Sequence, residues 1–331
     1  MSVNETFDGY YADTAYTPDQ RRNWEEENPE REKIFGSRLS WDRKTQDTGP
    51  KEMYDPSHIE MAEVEEEKRQ TSGVEGEAIF KQLKARYDHQ AMMPPNYKTT
   101  AVVFYMATAF GKGFSYISAI GFVFFLLIYL LYLPTKGFDF KDYLEVVEGF
   151  FFLLSPIFLA SVFFWKVGDF LEKKRPDIFL GLRKGPVWKA DRQTGNLTLY
   201  NPKKAWKKRV EAPFYEFDAY LQSSPDTQGS ATYTLILHHP KTGVSQKMKS
   251  FFPSTKMQGE LIAGWHFLQR YMDVSQPLPD VPGLEIHRHK DPTTAKADKR
   301  RRRNPRFWRD KTEGEIKKIQ EDKYRKNIRL R

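Results

Sequence analysis

The sequence predicts an α+β membrane protein: a two-helix transmembrane hairpin, then a small antiparallel β domain closed by one helix, between disordered N- and C-terminal extensions. Three observations predict it. Phe114 to Leu133 reads FSYISAIGFVFFLLIYLLYL and Phe150 to Trp165 reads FFFLLSPIFLASVFFW, both without a charge. Beyond the hairpin the apolar residues fall into short alternating runs parted by turn signals, then into steps of three and four. The first 56 residues show no sustained period, and the stretch after Asp273 is rich in proline and then in basic residues.

The hairpin, residues 114–174, follows from length. A bilayer core about 30 Å thick needs about 20 apolar residues in a helix. The first run meets this outright, and the second meets it when Val146, Val147, Gly149 and Val167 extend it, with Glu148 near the interface. The loop Pro134 to Glu148 carries Asp139, Asp142, Glu145 and Glu148 against Lys136 and Lys141. Lys98, Lys112, Lys166, Lys173, Lys174 and Arg175 lie outside it. The positive-inside rule then puts both termini in the cytoplasm. Small residues such as Ser118, Gly121 and Ser155 suit close helix packing, Pro156 is expected to kink the second helix, and no intramembrane charge marks an ion path.

The 331 residues leave room for one or two modest soluble domains. Hydrophobic residues make up 39% and charged residues 29%, so apolar content is concentrated in the hairpin and the N-terminal region is left poor in it. The net charge of +9 hides an acidic head and a basic tail. With no cysteine, disulfides, thiolate zinc sites and Cys nucleophiles are excluded. No signal peptide is read, and the first membrane helix is expected to direct its own insertion.

Residues 1–56 form the acidic extension. Its aromatics Tyr10, Tyr11, Tyr16, Trp24, Phe35 and Trp41 either pack weakly on the body or, with Trp24 and Trp41 as anchors, fold on a partner. Residues 57–113 are expected to be helical and juxtamembrane: two short helices to about His89, an end at Pro94-Pro95, and an interfacial helix over Ala101 to Phe110, with a strand as the alternative there, and Gly111-Lys112-Gly113 as a hinge. Residues 177–273 hold the β domain. Gly185 to Ala190 and Asn196 to Tyr200 make a hairpin about Thr194-Gly195, and Phe214 to Leu221, Thr232 to His238 and Val244 to Phe251 are further strands. Met257, Leu261, Gly264, Trp265, Leu268 and Met272 then line one helix face, with Ser254 or Thr255 as N-cap. Strands closed by such a helix give the pattern of pleckstrin-homology-like domains.

Residues 274–331 form a Pro-rich and then basic tail, expected to stay unfolded alone. Arg300, Arg301, Arg302, Arg303, Arg306 and Arg309 surround Trp308 there. With Trp188, Trp206 and Trp265 they are the candidate contacts to a partner or to lipid. Anionic lipid is the first surface such a cluster meets on a tethered protein; a protein partner comes next, and nucleic acid is the weakest reading. His287-x-His289 with Asp291 has the look of metal ligands, but nothing supplies a converging set. Neither a phosphate-binding glycine loop nor a nucleophile elbow occurs, so no catalytic, cofactor or metal site is assigned and the chain is read as a non-enzyme.

The hairpin, the opening Arg183-Lys184-Gly185-Pro186-Val187-Trp188 and the tail PLPDVPGLEIHRHKDPTTAKADKRRRRNPRFWRD together resemble a family of uncharacterised bacterial membrane proteins associated with type VI secretion genes. The likeness covers roughly residues 100 to 310, most specifically Pro277 to Asp310. It implies an inner-membrane protein with a cytoplasmic domain, serving as adaptor or immunity protein with a secretion component, effector or toxin as partner. It brings no site residues. The alternative is a membrane-disrupting or pore-forming toxin acting through the hairpin.

Overall fold

In the computed structural model the chain divides into two units, a helical one of Tyr97–Arg183 and a body formed by Met1–Asn96 together with Lys184–Arg331. The structure describes residues 9–22, 35–41, 49–55, 86–94, 100–136, 140–174, 185–201, 203–204, 206–249 and 251–329. The expected Trp24 anchor and the two helices sought between residues 56 and 85 lie outside these.

The body is α+β. Among the described residues its α-helices are α1 (Pro18–Arg22), α4 (Gln258–Met272), α5 (Pro292–Arg301) and α6 (Glu313–Arg329). Nine strands among the described residues run β1 (Ser37–Arg38), β2 (Arg86–Tyr87), β3 (Ala91–Met93), β4 (Trp188–Asp191), β5 (Asn196–Tyr200), β6 (Lys208–Pro213), β7 (Asp218–Pro225), β8 (Ala231–His239) and β9 (Val244–Lys247). They form two antiparallel sheets, ordered β1-β7-β8-β9 and β2-β3-β4-β5-β6. The β4–β5 hairpin stands where Thr194-Gly195 predicts it, with Gly195 at φ +73°, and β8 and α4 match their expected runs, while β9 starts at Val244 as expected but ends at Lys247, short of the expected Phe251, which lies in a turn.

Several expectations are corrected. β6 was not foreseen, because Lys208, Arg209 and Glu211 hide the alternation of Val210 and Ala212, the inward residues. Phe214–Glu216 is a short 3-10 turn before β7 rather than the start of a strand. Met257 begins α4 without a side-chain cap, while the Thr255 hydroxyl accepts the Met257 N–H at 3.2 Å. Residues 86–93 form the β2–β3 hairpin instead of a helix end, and β3 pairs with β4 through Ala91↔Asp191 and Met92↔Ala190.

The described parts of both extensions are folded into the core, against the expectation of disorder. Tyr16, Leu39, Met53 and Tyr54 from the head, and Leu278, Val281, Leu284, Trp308 and Ile316 from the tail, are buried in one cluster with the strands and α4. Trp41 meets Tyr16, Phe214 and Trp265 at ring-centroid distances of 5.8, 5.0 and 4.9 Å, so this anchor packs within the chain. Arg21 of α1 and Arg38 of β1 share the buried Asp218 at 2.7 and 2.8 Å.

The helical unit holds α2 (Thr100–Lys136) and α3 (Phe140–Lys174), packed on each other. Both outrun a bilayer core, at about 1.5 Å per residue. The expected interfacial helix is the first part of α2, and Gly111 is a packing site rather than a hinge. A Cβ there would lie 2.8 Å from the Ser161 carbonyl, and one at Gly168 would overlap the Thr108 side chain. The expected loop shrinks because Phe140, Leu144 and Val147 continue the helical spacing of α3. Among the described residues one stretch, Met106–Leu127, is long and apolar enough to cross a membrane. Large apolar side chains face outward on both helices, with Ile117 and Ile120 at 68% exposure, Phe152 at 69% and Leu159 at 64%. The hydroxyls of Ser115 and Ser161 bond to carbonyls one turn back, Gly111 at 2.7 Å and Ile157 at 2.8 Å.

Candidate functional site

The residues expected to meet a partner separate into core and surface. Trp188 and Trp265 are fully buried and Trp308 is 1% exposed, which withdraws all three from any contact surface. Indoles of this size fill the space between sheets and helices, and the Trp265 ring N–H donates to the Ser40 carbonyl at 3.0 Å.

The basic tail divides in the same way, because its acidic residues take up half of its arginines. Arg303 forms a two-pronged pair with Asp280 at 2.8 and 3.0 Å and reaches Glu285 at 3.2 Å. Glu285 also accepts the backbone N–H groups of Trp308 and Arg309, at 2.7 and 3.2 Å, and the Arg309 side chain at 3.4 Å. The Trp308 ring N–H closes on Asp280 at 2.8 Å. Arg288 clamps Asp298 at 2.8 Å on both prongs and donates to the carbonyls of Leu278 and Pro279. Fork-to-carboxylate pairs fix orientation as well as charge. Burial would raise the Asp280 carboxyl, but Arg303 and Arg288 outweigh it and hold it below its ordinary range. For Glu285 burial wins, and its carboxyl is pushed up.

At the centre stands Arg192, in the β4–β5 turn and fully buried with Asp291. Its guanidinium donates to both Asp291 oxygens at 3.1 and 3.3 Å and to the carbonyls of Asp273 at 2.9 Å, Gln276 at 2.8 Å and Tyr271. Asp291 also accepts the Tyr11 hydroxyl at 2.6 Å and caps α5 through the Thr294 N–H at 3.0 Å. Burial alone would raise the Asp291 carboxyl, yet Arg192 with the Thr294 and Tyr11 hydrogen bonds lowers it. Asp291 is thus an ion-pair partner and helix cap. No group of three metal-binding side chains occurs among the described residues.

Of the other two suspected ligands, His289 is exposed, and His287 is partly buried and stacks on His89 at 5.9 Å. Burial first of all pushes it down to about 3, with Lys290, His89 and His289 adding and Asp88 opposing. The unfolded chain, with a His near 6.5, therefore binds more protons between these values. Stability contributed by the neutral ring is full above about pH 6.5 and is lost as the pH falls toward the folded value. Chemical denaturation from pH 7 to pH 5 is expected to show falling stability, and His287→Phe a flatter profile; equal slopes would exclude the histidine as the cause.

Two cationic surfaces remain. One is the ridge Lys299, Arg300, Arg301 and Arg302 at the end of α5, all exposed, with Arg302 closing the helix at φ 51°. Cations there complement the helix dipole. Neither ion pairs nor side-chain hydrogen bonds engage Arg300, Arg301 or Arg302 among the described residues. Arg306 nearby is exposed and pairs with Asp310 at 3.3 Å. The other surface is the β5–β6 loop with Trp206, the one candidate tryptophan turned to solvent. Its lysines were legible in the sequence as Lys203, Lys204, Lys207 and Lys208 but were not singled out. The chain matches no family model, no curated protein and no solved structure.

Proposed function

We propose that this chain is an integral membrane protein that crosses the bilayer twice through α2 and α3 and presents its α+β body as a binding module for a protein partner. The observation that carries the reading is a strand pairing. β3 precedes the helices and β4 follows them, and they are neighbours in one sheet. Both flanks of the helical unit therefore lie on one side of any membrane, and the number of crossings between them is even. Given one helix apolar enough to cross, its packed neighbour returns the chain. The outward apolar side chains of both helices support this, since lipid is the solvent that such surfaces need. So does the cluster of Lys112, Tyr116, Trp165 and Lys166, with Lys166 4.6 Å from the Trp165 ring, a composition suited to the headgroup level.

The flanking lysines favour an orientation with the body in the cytoplasm and the short α2–α3 connection on the far side, and the resemblance alone motivates a bacterial inner membrane. We take Arg300, Arg301 and Arg302 as the contact for an acidic protein surface, because unpaired guanidinium groups are favoured at interfaces. Six consecutive antiparallel strands followed by α4 keep the pleckstrin-homology-like comparison within the proposal. The resemblance of residues 277–310 alone motivates a type VI secretion component, effector or toxin as partner.

Because the chain is free of cysteine, one introduced thiol reports one position. Gly137→Cys is expected to react with a membrane-impermeant maleimide added to spheroplasts, and Gln228→Cys, in an exposed turn of the body, only after permeabilisation. Identical behaviour of the two thiols would overturn the two-span reading. A crosslinked pull-down with wild type and with Arg300→Glu/Arg301→Glu then tests the ridge; the same partners at the same yield would remove it from the proposal.

A further inference from the structure

The β5–β6 connection is built around an exposed, strained tryptophan. Trp206 is 55% exposed and adopts φ 59°, the left-handed region that bulky residues avoid. Hydrogen bonds tie its described neighbours together. Asn201 Oδ1 accepts the N–H groups of Lys203 and Lys204 at 2.9 and 3.2 Å, and the Asn201 N–H donates to the Lys207 carbonyl at 2.8 Å. The indole stands edge-on to Tyr200 at 5.8 Å. Lys203, Lys204 and Lys207 flank it, exposed and without ion pairs among the described residues. Lys208 is matched by Glu211, and Arg209 donates to the Ser245 carbonyl at 3.1 Å.

A left-handed backbone at an exposed, bulky residue is the kind of strain that collects at contact sites. The chemistry is that of a charged interface: an indole prefers the headgroup level, and lysines are compact, hydrated charges suited to a diffuse negative surface. A groove for single-stranded nucleic acid would carry successive stacking rings, whereas this loop offers Trp206 alone. We propose that the loop is a second, peripheral membrane contact, seating on an anionic bilayer with Lys203, Lys204 and Lys207 at headgroup phosphates and Trp206 among the headgroups. Three lysines at such a surface strengthen attachment roughly fivefold each. Two spans would hold the chain in a bilayer of any charge; this loop makes the posture of the body depend on lipid charge.

The proposal rests on the membrane reading, and its test separates the two failures. Full-length Lys208→Cys, carrying an environment-sensitive dye on its single thiol, is reconstituted into nanodiscs of phosphatidylcholine alone or mixed with phosphatidylglycerol, each with doxyl-labelled lipid as quencher. A chain that does not enter nanodiscs at all refutes the spans. Among reconstituted samples, a blue shift and quenching confined to anionic nanodiscs and reversed by high salt are expected. Lys203→Glu/Lys204→Glu/Lys207→Glu should abolish both. Trp206→Gly, which fits the left-handed backbone, should lose the quenching while the thermal midpoint of the body holds or rises. A dye equally exposed in both nanodiscs, quenching independent of lipid charge, or shielding by a single-stranded RNA oligonucleotide in place of lipid would each overturn it.

Discussion

Replacing Arg192 by Met is expected to destabilise the body by about 3–5 kcal/mol, the cost of leaving a buried carboxylate without its partner. The loss is this large because Arg192 and Asp291 both have fully buried side chains. It also reflects how many segments meet there: Tyr11 from the head, the β4–β5 turn, the end of α4, and the cap of α5. Against a total stability of about 5–15 kcal/mol for an ordinary domain, the loss would leave a substantial unfolded fraction. Urea titration in detergent, followed by near-UV circular dichroism, measures it. The double variant Arg192→Met/Asp291→Leu should recover a large part, because removing both charges removes the desolvation penalty along with the attraction. Two single variants that each cost less than 1 kcal/mol would show that the pair is dispensable. The pair is also linked to pH. The folded Asp291 carboxyl titrates below the usual Asp range, so its contribution is present above that range and is lost as the pH falls through the folded value.

The two parts of the chain differed in how far the sequence could reveal them. Strands β4, β5, β8 and β9 and helix α4 were legible because their signals are local: alternation, a Thr194-Gly195 turn, and apolar steps of three and four. The strands ahead of the helical unit, β1 to β3, were illegible because they are two or three residues long, too short for any period, and form by adding to sheets whose other strands lie far along the chain. The tail misled for a different reason. Its charges read as a solvated run, but Asp280, Glu285, Asp291 and Asp298 each find an arginine at a separation that no local pattern exposes, 23 residues for Asp280 and Arg303 and 99 for Asp291 and Arg192. Of the candidate contacts, Trp188, Trp265 and Trp308 were chosen by residue type, which cannot distinguish an aromatic that fills a core from one that meets a partner. Trp206 was distinguishable in principle by its neighbours, since lysines stand on both sides of it.

Removal of the tail is expected to abolish folding of the body, the strongest test of its place in the structure. A chain ending at Asp273 would lose Leu278, Val281, Leu284, Trp308 and Ile316 from the core and the Asp291 partner of Arg192. It would leave the Arg192 guanidinium without its counter-charge and without the Gln276 carbonyl. Trp308→Ala probes the same dependence with the tail still present. Truncating a buried tryptophan costs about 3–5 kcal/mol through lost contacts and the cavity left behind, and here it also takes the indole N–H donor from Asp280. Trp308→Phe keeps most of the volume and loses the hydrogen bond, so a smaller cost, about 1–2 kcal/mol, is expected. The order wild type, Trp308→Phe, Trp308→Ala in denaturation midpoint, with the truncated chain digested rapidly by protease, would establish the tail as a structural layer. A truncated chain as protease-resistant as the full one would mean that the strands and α4 suffice, and would return the tail to the role of an appendage available to a partner.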